Sequence, residues 1–216
     1  MCAASNWKVE PLDMNSSKYV KPIRLNYVLN GKPLSWECMK VHDSVAIIVY
    51  NETRKKLIFV KQLRPAVVLA SAKSFNLETG AVDIDTNIPG ETLELCAGII
   101  DKSGKSKEEI AKEEVLEEIG YDIPVKSLQC VFSCRSGVGV TGSLHTVYFA
   151  KVNDNQRVTK GGGVGDEQIE IIELDINDAK ELLWKEDKDA MYPRPASMVA
   201  ALSWFIYEFA PKNNLL

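Results

Sequence analysis

The sequence predicts an α+β fold built on a mixed β-sheet. Strand-like alternation of apolar and polar residues dominates the first two-thirds of the chain, and one sharply bounded helical pattern interrupts it. Two further helical patterns follow the last predicted strand. This order differs from the regular alternation of strands and helices that builds a parallel sheet. At 216 residues, the chain is long enough for one large domain or for one domain with an extension.

The elements can be placed in order from local signals. Predicted strands 24–29 and 34–39 flank Asn30-Gly31, a dipeptide typical of two-residue hairpin turns. Strands 43–50 and 56–63 form a second hairpin, and the polar stretch 71–91 is predicted as a long loop. Further strands are expected at 92–97, 128–134, 144–152 and 169–174, and helices at 106–120, 177–184 and 195–209.

Composition excludes several classes of protein. Apolar residues make up 45% of the chain and charged residues 26%, as in folded globular domains. The 26 basic and 30 acidic side chains give a net charge of −4, which argues against a nucleic-acid partner. No apolar run approaches a membrane span, and the N-terminus lacks the pattern of a secretory signal. Five cysteines without paired ligand spacing read as reduced thiols, so we expect a cytoplasmic protein with no membrane partner.

The helix predicted at 106–120 concentrates negative charge. Glu114, Glu117 and Glu118 fall within an arc of about 100° on its surface. Like charges four residues apart disfavour a helix, and a divalent cation would remove that conflict for Glu114 and Glu118. Carboxylate oxygens suit Mg²⁺, with Mn²⁺ as the alternative. On the helix alone, a solvated acidic face is the favoured interpretation, because charged helix faces are common.

The segment from Ala97-Gly98 to Tyr121 resembles the Nudix box, G-x5-E-x7-R-E-U-x-E-E-x-G-U, in which U is a bulky apolar residue. The end of the box is complete in Glu114-Val115-Leu116-Glu117-Glu118-Ile119-Gly120-Tyr121. The resemblance implies that the metal ligands are the carboxylates of Glu114, Glu117 and Glu118 together with the backbone carbonyl of Ala97.

Two positions depart from the box. Lys105 stands where the family has its first glutamate, Glu113 stands where it has its arginine, and the loop after Gly98 is one residue longer. In the family these two side chains typically pair and brace the loop. We hypothesise that Lys105 and Glu113 form the same brace with exchanged charges; two unrelated surface side chains are the alternative.

The resemblance extends from about residue 24 to residue 209 and is strongest to the ADP-ribose and nucleotide-sugar pyrophosphatases, in particular those that act on UDP-sugars. It implies a Nudix fold, with the mixed sheet sandwiched between helices. Residues 1–40 are then an N-terminal antiparallel extension for dimerisation and base stacking, and residues 41–216 are the hydrolase domain. The resemblance also implies a homodimer with exchanged N-terminal strands.

Four residues are assigned to substrate binding on the same basis. Arg64 ends a strand, where its guanidinium suits a phosphate; a surface arginine is the alternative. Trp36 is expected to stack on the nucleobase or to pack in the core. Gly139 and Thr141 lie in a glycine-rich turn expected near phosphate or sugar. The spacing of this turn matches G-x-G-x-x-G, but strand residues follow it, which excludes a dinucleotide fingerprint.

The general base is expected on the glycine-rich segment 161–168. Glu167 is preferred, with Asp166, Glu170 and Glu117 as rivals. The implied reaction is Mg²⁺-dependent hydrolysis of a nucleotide sugar, with UDP-glucose giving UMP and glucose 1-phosphate. The turn at 137–142 lacks the proline loop of the ADP-ribose enzymes, which favours a UDP-sugar. ADP-ribose hydrolysis to AMP and ribose 5-phosphate, or a non-catalytic binding module, is the alternative.

Overall fold

A computed structural model of the protein describes residues 4–13, 15–17, 19–85, 87, 90–186 and 192–216. Parts of the expected extension 1–40 (residues 1–3, 14 and 18) and of the expected loop 71–91 (residues 86, 88 and 89) lie outside this description. Within the described residues, no helix is both long and apolar enough to cross a membrane.

The two predicted hairpins are confirmed. β1 (Lys21–Leu29) pairs antiparallel with β2 (Lys32–Lys40), and both turn residues, Asn30 and Gly31, have positive φ. This conformation gives the turn the twist that the flanking strands need. β3 (Ser44–Asn51) pairs with β4 (Lys56–Leu63).

The prediction of a loop at 71–91 was only partly right. It contains a short hairpin, β5 (Ser74–Asn76) and β6 (Ala81–Asp83), preceded by the helix α1 (Pro65–Ala70). The polar composition that predicted a loop is compatible with this hairpin because its strands are largely exposed.

The single strand predicted at 92–97 is two strands. β7 (Glu91–Glu94) pairs with β4, whereas β8 (Cys96–Ile99) pairs with β3. The break at Leu95 follows from this change of neighbour, which the local sequence does not encode.

The main sheet is mixed, as predicted. With β9 (Gln129–Ser136), β10 (Ser143–Val152) and β11 (Glu170–Asp175), the strand order is β11-β4-β3-β10-β9, and β7 and β8 pair with β4 and β3. Only the pair of β3 with β10 is parallel among the described pairs of this sheet.

Helices cover both faces of this sheet. α2 (Lys107–Ile119) packs with alternate β3 residues such as Ile47 in one core cluster. α3 (Ile176–Glu181) and α4 (Ala196–Trp204) pack with the intervening residues, such as Ile48, in the other. The last helix continues through one π-helical turn, Phe205–Phe209, to Ala210–Lys212. The alternating sides of β3 are thus both buried, which explains its continuous apolar run.

The β1–β2 hairpin forms a separate two-stranded sheet with a solvent-exposed apolar face. Directly opposed residues share a face of a hairpin, and the cross-strand pairs Leu25/Trp36 and Tyr27/Leu34 therefore lie together. Ile23 and Leu29 extend the same face, and all six side chains are exposed.

Candidate functional site

The acidic helix α2 has definite ends. The Ser106 hydroxyl accepts a hydrogen bond from the backbone N–H of Glu109 (3.1 Å), and the Glu109 carboxylate accepts one from the N–H of Ser106 (2.7 Å). Gly120 ends the helix in the left-handed conformation, with φ of 83°. These caps confirm the predicted boundaries and fix the position of the three box glutamates relative to the sheet.

A cavity of about 470 Å³ lies where α2 approaches the strands β3, β4 and β8. Its charged lining includes four predicted side chains from widely separated parts of the sequence, Arg64, Glu114, Glu118 and Glu167. Glu94, which was not predicted, also lines it. The backbone of Ala97 and Gly98 forms part of the same wall.

Glu118 is buried away from water, and Glu114 is half-buried beside it. Glu118 is only 4% exposed, and its Oε2 accepts a hydrogen bond from the N–H of Ala97 at 3.0 Å. Burial raises the pKa of Glu118 to about 8 and that of Glu114 to about 7. Repulsion from neighbouring carboxylates adds to both shifts. Such a pair gains most from a bound cation, because the cation restores the lost solvation and removes the repulsion.

Gly98 makes the approach of Glu114 to the strand possible. A Cβ atom at position 98 would overlap the Glu114 carboxylate group. The first glycine of the box therefore leaves the space that this carboxylate occupies beside β8. This contact is a physical reason for a glycine at the position where the box requires one.

The donor set fits a divalent cation. Hard carboxylate oxygens in a partly desolvated cavity are the ligands that Mg²⁺ and Mn²⁺ prefer. Among the described residues, no three acidic, histidine or cysteine side chains already converge as a finished site. Glu118 accepts a hydrogen bond from the Ala97 N–H, and a Glu117 oxygen lies 3.8 Å from the Lys102 ammonium.

Lys105 and Glu113 are in contact, as the hypothesis of a charge-exchanged brace requires. Lys102, which the sequence did not single out, also contacts Glu113 at 2.9 Å. The loop before α2 is thus tied to the helix by two lysines on one glutamate.

A double-mutant cycle tests this brace. We expect Lys105→Ala and Glu113→Ala to couple by about 0.5 kcal/mol in the free energy of unfolding, as partly exposed ion pairs do. Denaturant titrations of the two single variants and the double variant provide the measurement. The cycle is repeated with Lys102→Ala, because Lys102 shares the glutamate. A coupling near zero in both backgrounds would reject the brace.

Arg64 lies at the end of β4 and forms a bidentate ion pair with Glu94, through its Nε (2.6 Å) and Nη2 (2.7 Å). The Thr92 hydroxyl donates to the same carboxylate at 2.5 Å. Glu94 is buried, so this pair holds the guanidinium on the cavity wall. Glu94 lies four residues before Gly98, the first glycine of the box, and this position is the sequence signal that could have identified it.

Among the four acids considered as general base, only Glu167 lines the cavity. Glu170 instead lies on β11 and pairs with Lys61 at 2.5 Å. The segment that carries Glu167 is bound to the end of α2, since the N–H groups of Gly162 and Gly163 donate to the carbonyls of Glu118 (2.8 Å) and Glu117 (3.0 Å).

Close packing against α2 explains the first glycine of this segment. Gly161 has a φ of 68°, and a Cβ atom there would overlap the backbone of α2. Close packing against the helix therefore requires glycine. Further along the same segment, Glu167 lines the cavity that Glu114 and Glu118 also line.

Trp36, Gly139 and Thr141 come together at a second cavity of about 360 Å³. The Trp36 indole donates to the carbonyl of Gly139 at 2.9 Å. Trp36 is 55% exposed, so the alternative that it packs in the core is wrong. The Thr141 hydroxyl donates a hydrogen bond to the carbonyl of Ser136, and Ser136 lines the cavity beside α2 that contains Glu114 and Glu118. The predicted binding residues thus form two neighbouring groups.

The buried carboxylates predict how stability depends on pH. Glu114 and Glu118 have a pKa near 4.5 when unfolded and about 7 and 8 when folded, so between these values the folded state binds more protons. Stability of the metal-free protein should therefore fall as pH rises from 5 to 8. Melting temperatures in EDTA check this. Glu118→Gln should make the melting temperature depend less steeply on pH. The same dependence as in wild type would contradict the raised pKa of Glu118.

Comparison with known proteins agrees with the site geometry. No family model matches the chain. It is 38% identical over 212 residues to the uridine diphosphate glucose pyrophosphatase NUDT14 of Bos taurus, covering 93% of this chain and 94% of the relative. The Mus musculus protein of the same name is 38% identical over 92% and 93%. A GDP-mannose pyrophosphatase of Shigella flexneri is 31% identical over 65% and 64%. The chain therefore belongs to the Nudix hydrolases, in the branch of nucleotide-sugar pyrophosphatases.

Proposed function

We propose that the protein hydrolyses the pyrophosphate bond of a UDP-sugar, with UDP-glucose and water giving UMP and glucose 1-phosphate. The observation that carries this proposal is the single cavity that gathers Arg64, Glu114, Glu118 and Glu167. It stands in a chain related over nearly its whole length to UDP-glucose pyrophosphatases.

The carboxylates of Glu114 and Glu118, with Glu117 and the Ala97 carbonyl beside them, would hold Mg²⁺ or Mn²⁺. Bound there, the cation supplies positive charge that neutralises the diphosphate. At present one Glu118 oxygen accepts a hydrogen bond from the Ala97 N–H, and a Glu117 oxygen lies 3.8 Å from the Lys102 ammonium.

Arg64 and Glu167 provide the remaining chemistry. The Glu94 carboxylate engages the Nε and one terminal nitrogen of Arg64, which leaves the other terminal nitrogen free to donate to a phosphate oxygen. Glu167 accepts the proton of the attacking water, which makes that water a better nucleophile. At present a Glu167 oxygen accepts a hydrogen bond from the N–H of Val164 at 2.9 Å, which orients the carboxylate.

Trp36, Gly139 and Thr141 form the base and sugar end of the proposed site. The indole ring is exposed and fixed by its bond to Gly139, so one face is available for stacking on a nucleobase. Stacking tolerates different bases, so this contact alone does not select uridine.

A panel of substrates tests the proposed function. With Mg²⁺ present, kcat/KM is compared for UDP-glucose, other UDP-sugars, GDP-mannose and ADP-ribose, with products identified chromatographically. We expect the highest value for a UDP-sugar. A clear preference for ADP-ribose would reassign the substrate, and binding without release of any product would show a non-catalytic module.

We also propose a homodimer in which the N-terminal strands are exchanged. The exposed apolar face of the β1–β2 hairpin supports it, because a contiguous apolar patch on a free surface is unfavourable in water. The division into an extension 1–40 and a hydrolase domain 41–216 is part of the same proposal, supported by the separate sheet of the hairpin.

Two substitutions on opposite faces of β1 test the dimer. Leu29→Glu places a charge on the apolar face and is expected to give monomers in sedimentation velocity. Val28→Glu, on the other face, serves as the matched control and should leave the dimer intact. A monomeric wild-type protein at micromolar concentration would contradict the proposal.

We also propose that the protein is cytoplasmic. Cys38, Cys96, Cys130 and Cys134 are unpaired thiols. Free thiols persist in reducing compartments, which favours the cytoplasm over an oxidising environment.

A further inference from the structure

His145 is a polar residue of the cavity beside α2, and the proposed mechanism gives it no role. It lies on β10 and lines the same cavity as Arg64, Glu118 and Glu167. Its Nδ1 atom is 2.7 Å from the hydroxyl of Ser44, because His145 and Ser44 are in register on the parallel strands β10 and β3. The orientation of the imidazole ring is therefore fixed from one side.

The other ring nitrogen of His145 lacks a protein partner. Nε2 is buried and makes no hydrogen bond in the described part of the chain. A buried polar atom left unpaired is costly, and most such atoms in folded proteins are paired. Because His145 lines a cavity with an arginine and several carboxylates, an acceptor atom of a polar ligand bound there would remove the cost.

The ring is suited to donate from this nitrogen. Burial lowers the pKa of His145, so the neutral ring carries one N–H. If the Ser44 hydroxyl donates to Nδ1, the N–H resides on Nε2. Phosphate oxygens accept hydrogen bonds and do not donate them when ionised, which matches this tautomer.

We propose that His145 donates a hydrogen bond from Nε2 to a phosphate oxygen of the bound nucleotide sugar, and that Ser44 is the positioning residue that orients its ring. This inference rests on the proposed function, since it takes the diphosphate of that substrate as the acceptor. It adds a neutral donor to the charged donor supplied by Arg64.

Two substitutions separate the two nitrogens of the ring. In His145→Gln the amide nitrogen can take the place of Nε2, whereas in His145→Asn it can take only the place of Nδ1. We expect His145→Asn to lower kcat/KM for UDP-glucose about tenfold or more, the size of a hydrogen bond to a charged acceptor. His145→Gln should retain activity within about threefold of wild type. Ser44→Ala should lower kcat/KM in the wild-type background and have no further effect in His145→Asn.

Inhibition by UDP, which lacks the sugar, distinguishes a phosphate contact from a sugar contact. His145→Asn should weaken inhibition by UDP as much as it weakens binding of UDP-glucose. A loss confined to UDP-glucose would place the contact on the sugar and overturn the assignment. Equal kinetics for the Asn and Gln variants, with only their melting temperatures lowered, would show a purely structural histidine. Wild-type turnover is measured first, so failure of the proposed function is recognised separately.

Discussion

Replacing Glu118 with glutamine is expected to lower kcat for UDP-glucose by about a thousandfold or more. The change keeps the shape of the side chain but removes the charge that would hold a cation in the cavity. Metal ions contribute several kcal/mol to such reactions, and each 1.4 kcal/mol is a factor of ten in rate. Because Glu118 is almost fully buried, no neighbouring solvent-exposed acid can replace it at the same position.

Calorimetric titration with Mn²⁺ provides the second readout for Glu118→Gln, and we expect weakened or lost binding. Glu108→Gln is the matched control, since Glu108 is on the same helix but bonds to the Tyr148 hydroxyl outside the cavity. This control should bind Mn²⁺ and turn over like wild type. Near wild-type turnover in Glu118→Gln would defeat the assignment of the metal ligands.

Glu167→Gln is expected to lower kcat by about 10²- to 10⁴-fold, the range for loss of a general base. Glutamine can still accept the hydrogen bond from the Val164 N–H, so the loop should keep its conformation. Binding of Mn²⁺ and of substrate should change little, because the proton transfer takes place only in the reaction itself. This pattern distinguishes Glu167 from Glu118, whose loss removes metal binding as well.

Glu170→Gln is the control for Glu167→Gln. Glu170 lies three residues further along and pairs with Lys61 away from the cavity. We expect a loss of stability, because Lys61 loses its 2.5 Å ion pair and keeps the 3.7 Å contact with Glu91, but a nearly unchanged kcat. If Glu170→Gln abolished turnover while Glu167→Gln did not, the general base would have to be reassigned.

The sequence predicted those parts of the fold that depend on local signals. The ends of α2 follow from Ser106, Glu109 and Gly120, whose effects act within a few residues. The first hairpin follows from Asn30-Gly31 in the same way. By contrast, the break at Leu95 depends on which strands become neighbours. A local sequence pattern does not indicate which distant segments pair. The prediction of a single strand at 92–97 was therefore wrong.

The same distinction between local signals and contacts of distant segments applies to the candidate site. The box glutamates share one helix, so their spacing alone predicts that they lie together. Glu94 as the partner of Arg64, and Lys102 as a second lysine on Glu113, depend on contacts between separate segments. The orphaned nitrogen of His145 is a property of its packed surroundings, and no sequence motif indicates it.

The most direct test of the account is the anomalous scattering of Mn²⁺ in crystals of the protein grown with a slowly hydrolysed nucleotide-sugar analogue. We expect Mn²⁺ peaks within coordination distance of Glu114 and Glu118, with the diphosphate bound to the same ions. Ions found at other positions, with both carboxylates free of metal, would contradict it.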